Sequence, residues 1–229
     1  MGIRKKVQYF QVLRELASAS KLAHVMLLVL VLIPTNPVKK GSLPRIEAVQ
    51  HLDGKETDKL FKIYSVVKSH RMDLREDSAW AISETILEES TKHSLDPMLV
   101  LAIISVESGF QLEAVSTRGA RGLMQILPFV ASALVHEAGL TSESRDLDPE
   151  FLDDPVMNIK LGVFYLNNLK KSFRDLRLTL TAYNWGPTEI KNRLEGDEPV
   201  PLEYATRVLS TYNHYRKGGG TKPPVPGNN

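Results

Sequence analysis

A single glutamate lies at the end of an almost wholly apolar segment. Residues 97–108 contain eight apolar side chains, and Glu107 follows Ile103 by four positions and Val100 by seven. On a helix, this spacing places its carboxyl group on the same buried stripe as those two residues. Burial and the negative end of the helix dipole both disfavour a charged carboxylate there. We therefore expect a raised pKa for Glu107, and an acid protonated near neutral pH can protonate the leaving oxygen of a glycosidic bond.

Position alone favours a simpler interpretation, in which Glu107 is solvated or paired with Arg118 or Arg121. The sequence around it carries four short motifs in a fixed order: ESGF at residues 107–110, STRG at 116–119, GLMQILP at 122–128 and AYNWGP at 182–187. Each motif alone is short enough to occur by chance. Together they resemble the catalytic domain of the soluble lytic transglycosylases, which has a lysozyme-like fold. The resemblance covers residues 78–216.

The resemblance implies a reaction with one catalytic carboxylate, which maps onto Glu107. That group first protonates the glycosidic oxygen between N-acetylmuramic acid and N-acetylglucosamine. It then acts as a base on the C6 hydroxyl of the muramic acid, which closes onto C1 and gives a 1,6-anhydro sugar. Tyr183 matches the tyrosine whose hydroxyl lies near the catalytic carboxyl. The implied partners are the glycan strands of peptidoglycan, with no cofactor and no metal.

Four further residues match positions that contact the substrate in this family: Ser116, Met124, Gln125 and Asn184. By residue type alone, Ser116 is an ordinary loop serine, Met124 a core methionine, and Asn184 a residue that could cap a turn. An amide such as Gln125 can offer both a donor and an acceptor to a sugar. Trp185 departs from the family, which often has a small residue there, and either adds a sugar-stacking face or fills space.

Two other functions stay open at this point. A hydrolase on the same fold would need a second carboxylate to hold a water molecule, for which Glu113 and Asp148 are the candidates. A catalytically silent peptidoglycan-binding domain would be expected to lack Glu107 or Tyr183, and both are present. The six histidines show no ligand spacing, so metal catalysis is not expected.

The segments that position these residues all have helical sequence patterns. The sequence therefore predicts an all-α fold. Asp96-Pro97 and Asp154-Pro155 each provide an N-cap acceptor followed by a proline in the first turn. Glycines such as Gly139 and Gly186 stand where helices would end. We expect helices near residues 55–70, 78–93, 97–108, 128–138, 155–173, 176–185, 187–195 and 202–216.

The distribution of charge and apolar residues along the chain predicts its domain organisation. Residues 1–21 carry a local charge of +4 and run into the apolar segment 22–33, while the rest of the chain has a charge of −2. A signal core has about 7–15 apolar residues and a membrane span about 20, so we predict export, with segment 1–33 either cleaved or retained as an inner-membrane anchor. Residues 34–77 are predicted to form a linker and an extra helix, 78–216 the catalytic domain and 217–229 a disordered tail.

The same composition excludes several classes of protein. The slightly acidic folded part lacks the basic stripe that nucleic acid binding requires, so no nucleic acid partner is expected. There is no cysteine, which excludes disulfides, thiolate metal sites, a cysteine nucleophile and a lipid-modified cysteine. The sequence predicts no particular protein partner.

Overall fold

The computed structural model describes residues 53–140 and 149–219. Within these ranges the chain forms eight α-helices and one 3₁₀ turn and has no β-strand, which confirms the all-α prediction. The helices are α1 Gly54–His70, α2 Glu76–Lys92, α3 Pro97–Glu107, α4 Pro128–Leu134, α5 Pro155–Phe173, α6 Leu176–Trp185, α7 Pro187–Glu195 and α8 Glu203–Arg216; the 3₁₀ turn is Pro149–Asp153.

The helix starts predicted at Asp96-Pro97 and Asp154-Pro155 are confirmed, and their caps explain them. Asp96 accepts a hydrogen bond from the backbone N–H of Met98 at 2.9 Å, and Asp154 accepts one from Met157 at 2.8 Å. Each aspartate thereby satisfies an N–H group that has no partner within its helix. The prolines that follow occupy the first turn, where their missing N–H is harmless.

The largest difference from the predicted boundaries is in α4, which ends at Leu134 and not at residue 138, while α1, α2, α3 and α8 differ by one or two residues at an end. Beyond it the backbone tightens into turns, in which the N–H of Leu140 bonds to the carbonyl of Val135 at 3.0 Å. Gly139 adopts a φ of +70° there, a left-handed conformation that glycine accepts without strain. The prediction that the helix ends at Gly139 is therefore wrong, because the helix ends at Leu134 and Gly139 lies in the turns that follow.

The core is built around α3. All seven residues from Met98 to Ile104 are buried, so this helix has no solvent-facing side. It packs most extensively against α8 and is also covered by α2 and α1. Because α3 is enclosed on several sides, the position of its last residue is fixed by the whole domain.

The irregular loop that follows α3 is fastened to α5 by one buried asparagine. The side chain of Asn158 accepts a hydrogen bond from the N–H of Met124 at 2.7 Å and donates to the carbonyls of Arg121 and Leu152. A Cβ at Gly122 would lie 2.2 Å from Asn158 Nδ2, and its φ is +74°, so glycine is needed at this position. The loop is thus held in one conformation beside the end of α3.

Three sequence predictions concern residues that the structure does not describe. The apolar segment 22–33 and the tail beyond residue 219 are not among the described residues, and neither is Asp148. Across residues 53–140 and 149–219, no helix is long and apolar enough to cross a membrane.

Candidate active site

Glu107 is the last residue of α3, and its carboxyl group is largely buried. Burial raises its pKa from 4.5 to about 7, against the opposing effects of a hydrogen bond from Tyr204 and the positive charge of Arg207. The Tyr204 hydroxyl donates to Glu107 Oε1 at 2.6 Å. The raised pKa expected from the sequence is confirmed. In the described part of the chain, Arg121 pairs with Asp153. No ion pair among these residues joins Glu107 to Arg118 or Arg121.

A cavity of about 330 Å³ opens in front of this carboxyl group. Its lining brings together most of the residues that the motifs singled out, from the end of α3, the loop after it and the end of α6: Glu107, Ser116, Gln125, Tyr183 and Asn184. It adjoins a second cavity of about 600 Å³, and the two share several lining residues, among them Gln125 and Trp185. Five of the six predicted site residues therefore line one continuous cleft with Glu107 at its wall, and Met124 is the exception.

Tyr183 lies in this cleft, but its hydroxyl donates to the carbonyl oxygen of Met124 at 2.8 Å. Burial and the nearby charge of Glu107 raise the pKa of Tyr183 well above its usual value, so it stays a neutral donor. The tyrosine that bonds directly to Glu107 is Tyr204, at the start of α8. Burial and the charge of Glu107 likewise raise the pKa of Tyr204.

Sequence reasoning missed Tyr204, although a signal was present. Tyr204, Val208, Thr211 and Tyr215 follow the spacing of a buried helical stripe, and all four are buried in α8. A tyrosine on such a stripe needs a partner for its hydroxyl. The pattern predicts burial, but it does not identify Glu107, 97 residues away, as the acceptor.

Gln125 combines a place in the cleft with a structural task. Its side-chain Nε2 donates to the carbonyls of Ala114 and Gly122, each at 2.9 Å. Both amide hydrogens are thereby used within the loop, so the side chain can offer a ligand only its carbonyl oxygen. Ser116 likewise accepts a hydrogen bond from the N–H of Ala120 at 3.0 Å, which leaves its hydroxyl hydrogen for other use.

Met124 is placed differently from the other predicted binding residues. Its side chain is fully buried and does not appear in the lining of the two cavities. It packs against α5 at Gly162, where a Cβ would lie 2.5 Å from the Met124 sulfur. Met124 therefore contributes to the site through its backbone carbonyl, which accepts the Tyr183 hydrogen bond.

Segment 107–110 also contacts α1 through Phe110, which lines neither cavity. Phe110 is buried, and its ring stacks on His70 with centroids 4.4 Å apart. Arg71 donates to the Phe110 carbonyl at 2.9 Å. The hydroxyl of Tyr215 lies 3.1 Å from His70 Nε2. The end of α1 is thus fastened to both segment 107–110 and α8.

A largely buried, protonatable glutamate at the end of a core helix, set in a cleft of an all-α domain, defines an acid site on a lysozyme-like fold. Residues 84–200 match the family described as Transglycosylase SLT domain, and the chain belongs to this family. The matched range includes every site residue predicted from the sequence, but it ends before Tyr204 and begins after α1.

The chain is similar to several proteins of this kind. It is 44% identical over 128 residues to membrane-bound lytic murein transglycosylase E of Buchnera aphidicola, a match that covers 52% of this chain and 59% of that protein. It is 31% identical over 140 residues to soluble lytic murein transglycosylase of Escherichia coli K12, covering 55% and 21%. The match therefore spans less than two thirds of either relative.

A solved structure supports the fold. The 70 kDa soluble lytic transglycosylase of Escherichia coli superposes with a TM-score of 0.53 at 23% identity, over 73% of this chain and 30% of that one. This likeness confirms the predicted lysozyme-like, all-α architecture.

Proposed function

We propose that this protein is a peptidoglycan lytic transglycosylase. It cleaves the β-1,4 bond between N-acetylmuramic acid and N-acetylglucosamine and leaves a 1,6-anhydro end on the muramic acid. The observation that carries this proposal is the position of Glu107, largely buried on the wall of a cleft large enough for sugar rings, where burial raises its pKa to about 7. Such a group is protonated often enough to act as an acid and is basic enough to take a proton back.

The reaction needs two proton transfers and no water. Protonated Glu107 donates its proton to the glycosidic oxygen while the bond from that oxygen to C1 breaks. The resulting carboxylate then removes the proton from the C6 hydroxyl as that oxygen bonds to C1. The acid is restored, and the products together have the atoms of the substrate.

The tyrosines prepare Glu107 for both steps. The Tyr204 hydrogen bond favours the carboxylate form, which keeps the pKa from rising as far as burial alone would raise it. Tyr183 fixes the Met124 carbonyl and with it the loop that faces the acid. In our proposal Ser116, Gln125 and Asn184 bind the hydroxyl and acetamido groups of the sugars.

The arrangement favours a transglycosylase over a hydrolase. Glu107 is the only carboxylate in the lining of the smaller cavity, as far as the described residues show. Glu113, a candidate for holding a water molecule, is exposed and lines neither cavity. Glu189 lines the larger cavity but is paired with Arg193 at 2.7 Å. A reaction that uses the substrate's own hydroxyl requires none of these.

We also propose that residues 78–216 form the catalytic unit and that the enzyme acts in the cell envelope. Peptidoglycan is found only there, and the Buchnera relative is named as membrane-bound. The predicted export segment 1–33, cleaved or retained as an anchor, agrees with this location. The tail from residue 217 is no part of the catalytic unit in this proposal.

The proposal is tested by mass spectrometry of the soluble products released from purified sacculi by the full chain. Anhydro-muropeptides, which are one water lighter than hydrolysed products, are expected from the wild type and not from Glu107→Gln. Glu113→Gln is the matched control, because it makes the same change in an exposed loop. Reducing ends in place of anhydro ends would reject the transglycosylase reaction and support hydrolysis.

A further inference from the structure

The two cavities of the cleft meet at an aromatic side chain that the proposed chemistry does not use. Trp185 is the last residue of α6, lines both cavities and is 46% exposed. A large indole ring is usually much less accessible than this in a folded domain. An exposed aromatic in a concave site is more typical of a ligand-binding surface.

The indole is held in place from α7. The Arg193 guanidinium lies 5.8 Å from the ring centroid, within range of a cation–π interaction. Arg193 itself donates to Glu189 at 2.7 Å and to the carbonyl of Pro199 at 3.0 Å. Because Arg193 is fixed by two partners, the ring beneath it has less freedom to rotate. Trp185 is therefore preorganised for a ligand.

The surroundings of this ring fit a sugar. The larger cavity also contains Phe129, which is 70% exposed, so two aromatic surfaces lie in one concave site. Polar side chains, including Asn184 and Asn192, line the same cavity. A pyranose ring with equatorial substituents has apolar C–H faces and polar edges, which match aromatic faces surrounded by amides. A wholly apolar peptide segment would leave these amides without partners.

Because the larger cavity is continuous with the cavity that contains Glu107, the position of the bound sugar can be inferred. The larger cavity shares Gln125, Tyr183 and Asn184 with the cavity that contains Glu107. A glycan strand placed with one bond at Glu107 therefore extends past Trp185. We propose that Trp185 is a stacking platform for a sugar of an N-acetylated β-1,4-linked glycan next to the bond that is cleaved, and that Arg193 and Glu189 are positioning residues for it. This proposal rests on the proposed function for the identity of the glycan.

Intrinsic fluorescence provides a direct test, because the chain has only two tryptophans. The other, Trp80, stacks on Tyr64 with centroids 4.3 Å apart and lines neither cavity. The full chain carrying Glu107→Gln is titrated with tetra-N-acetylchitotetraose and with purified uncross-linked glycan strands. A saturable change in emission is expected. Adding Trp185→Phe should abolish that change, whereas adding Trp80→Phe should preserve it.

Binding energy is measured separately by calorimetry on the same inactive background. Trp185→Ala is expected to weaken glycan binding about 10-fold, which corresponds to the upper part of the range for aromatic contacts. In the active enzyme, Arg193→Ala should raise KM for glycan strands several-fold with little change in kcat, and Arg193→Lys should restore part of the loss. A merely structural role of Arg193 would instead lower kcat and thermal stability together.

The outcomes separate this inference from the proposed reaction. If anhydro products form but Trp185→Ala binds glycan as tightly as its parent, the inference is wrong and the reaction stands. If no anhydro products form but glycan binding depends on Trp185, the platform stands and the reaction is wrong. A fluorescence change produced by free stem peptide, and not by either glycan, would overturn the inference in favour of a peptide site.

Discussion

The two sides of segment 107–110 differ in what they bury. The cleft side buries an ionisable group, and the back side buries an apolar ring. On the cleft side, Glu107 is buried with Tyr204 as its hydrogen-bond partner, and its pKa is raised to about 7. On the back side, Phe110 is buried among apolar and aromatic groups and stacks on His70. On the cleft side, burial disfavours the charged form of Glu107. On the back side, Phe110 contributes ordinary apolar packing. Reactivity and stability are thus separated across one short stretch of chain.

The pH dependence of stability follows from the cleft side. A carboxyl whose pKa is higher in the folded than in the unfolded protein binds a proton more tightly when folded. The contribution of Glu107 to stability is therefore fully present below about pH 4.5 and is lost as the pH rises to about 7, where the folded protein also loses the proton. The decline amounts to about 3 kcal/mol. Phe110 carries no charge, so its contribution does not change with pH.

The largest effect is expected from Glu107→Gln. Activity should fall about 1000-fold, because the general acid and base are lost. The free energy of unfolding at pH 8 should rise by up to about 3 kcal/mol, because no buried charge has to form. Denaturant unfolding at pH 5 and pH 8, with product assays beside it, measures both effects. A variant that loses both activity and free energy of unfolding at pH 8 would contradict the separation of reactivity from stability.

Phe110→Ala should produce the opposite pattern. Removing a buried phenylalanine costs about 3–5 kcal/mol, so the free energy of unfolding should fall by that amount at every pH. Phe110→Leu is the matched control and should cost much less, because it keeps most of the apolar volume. Where the variant is still folded, the pH at which its activity declines should be that of the wild type. A change in that pH would show that the back side also controls the acid.

On both sides, the sequence predicts local structure better than it predicts contacts between distant residues. The helices and their starts were predictable, because caps such as Asp96 and Asp154 and the apolar run of α3 are local signals. The direction of the Glu107 pKa shift was also predictable, because the apolar run of α3 already indicates that the end of this helix is buried. The motifs also identified most of the residues that line the smaller cavity.

Long-range partners were not predictable. The hydroxyl of Tyr204 reaches Glu107 across 97 residues, and Arg71 reaches the Phe110 carbonyl across 39. Met124 shows the same limit, because its motif predicts a place in the cleft while its side chain packs on Gly162. Such contacts depend on how helices pack, which periodicity in one helix does not encode.

Tyr204→Phe tests how much the hydrogen bond on the cleft side lowers the pKa of Glu107. Its hydrogen bond lowers the pKa of Glu107, so removing it should raise that pKa above 7. The decline of activity at alkaline pH should move upward by about one pH unit, since a hydrogen bond to a charged group contributes about 1.5–3 kcal/mol. A pH–rate profile of kcat measures the shift. A downward shift would mean that Tyr204 stabilises the protonated form.

The smallest effect tests whether α1 supports the catalytic segment. Arg71 and Arg75 make the same local pair, each with an aspartate two residues later, but only Arg71 is bonded to Phe110. Arg71→Ala should lower the free energy of unfolding by about 1 kcal/mol, because the Phe110 carbonyl loses its donor. Arg75→Ala should change it by less than about 0.5 kcal/mol, because its guanidinium is 80% exposed. Equal effects of the two substitutions in denaturant unfolding would mean that the bond from Arg71 to Phe110 adds no stability, and that α1 holds the back of the active site through the His70 contact alone.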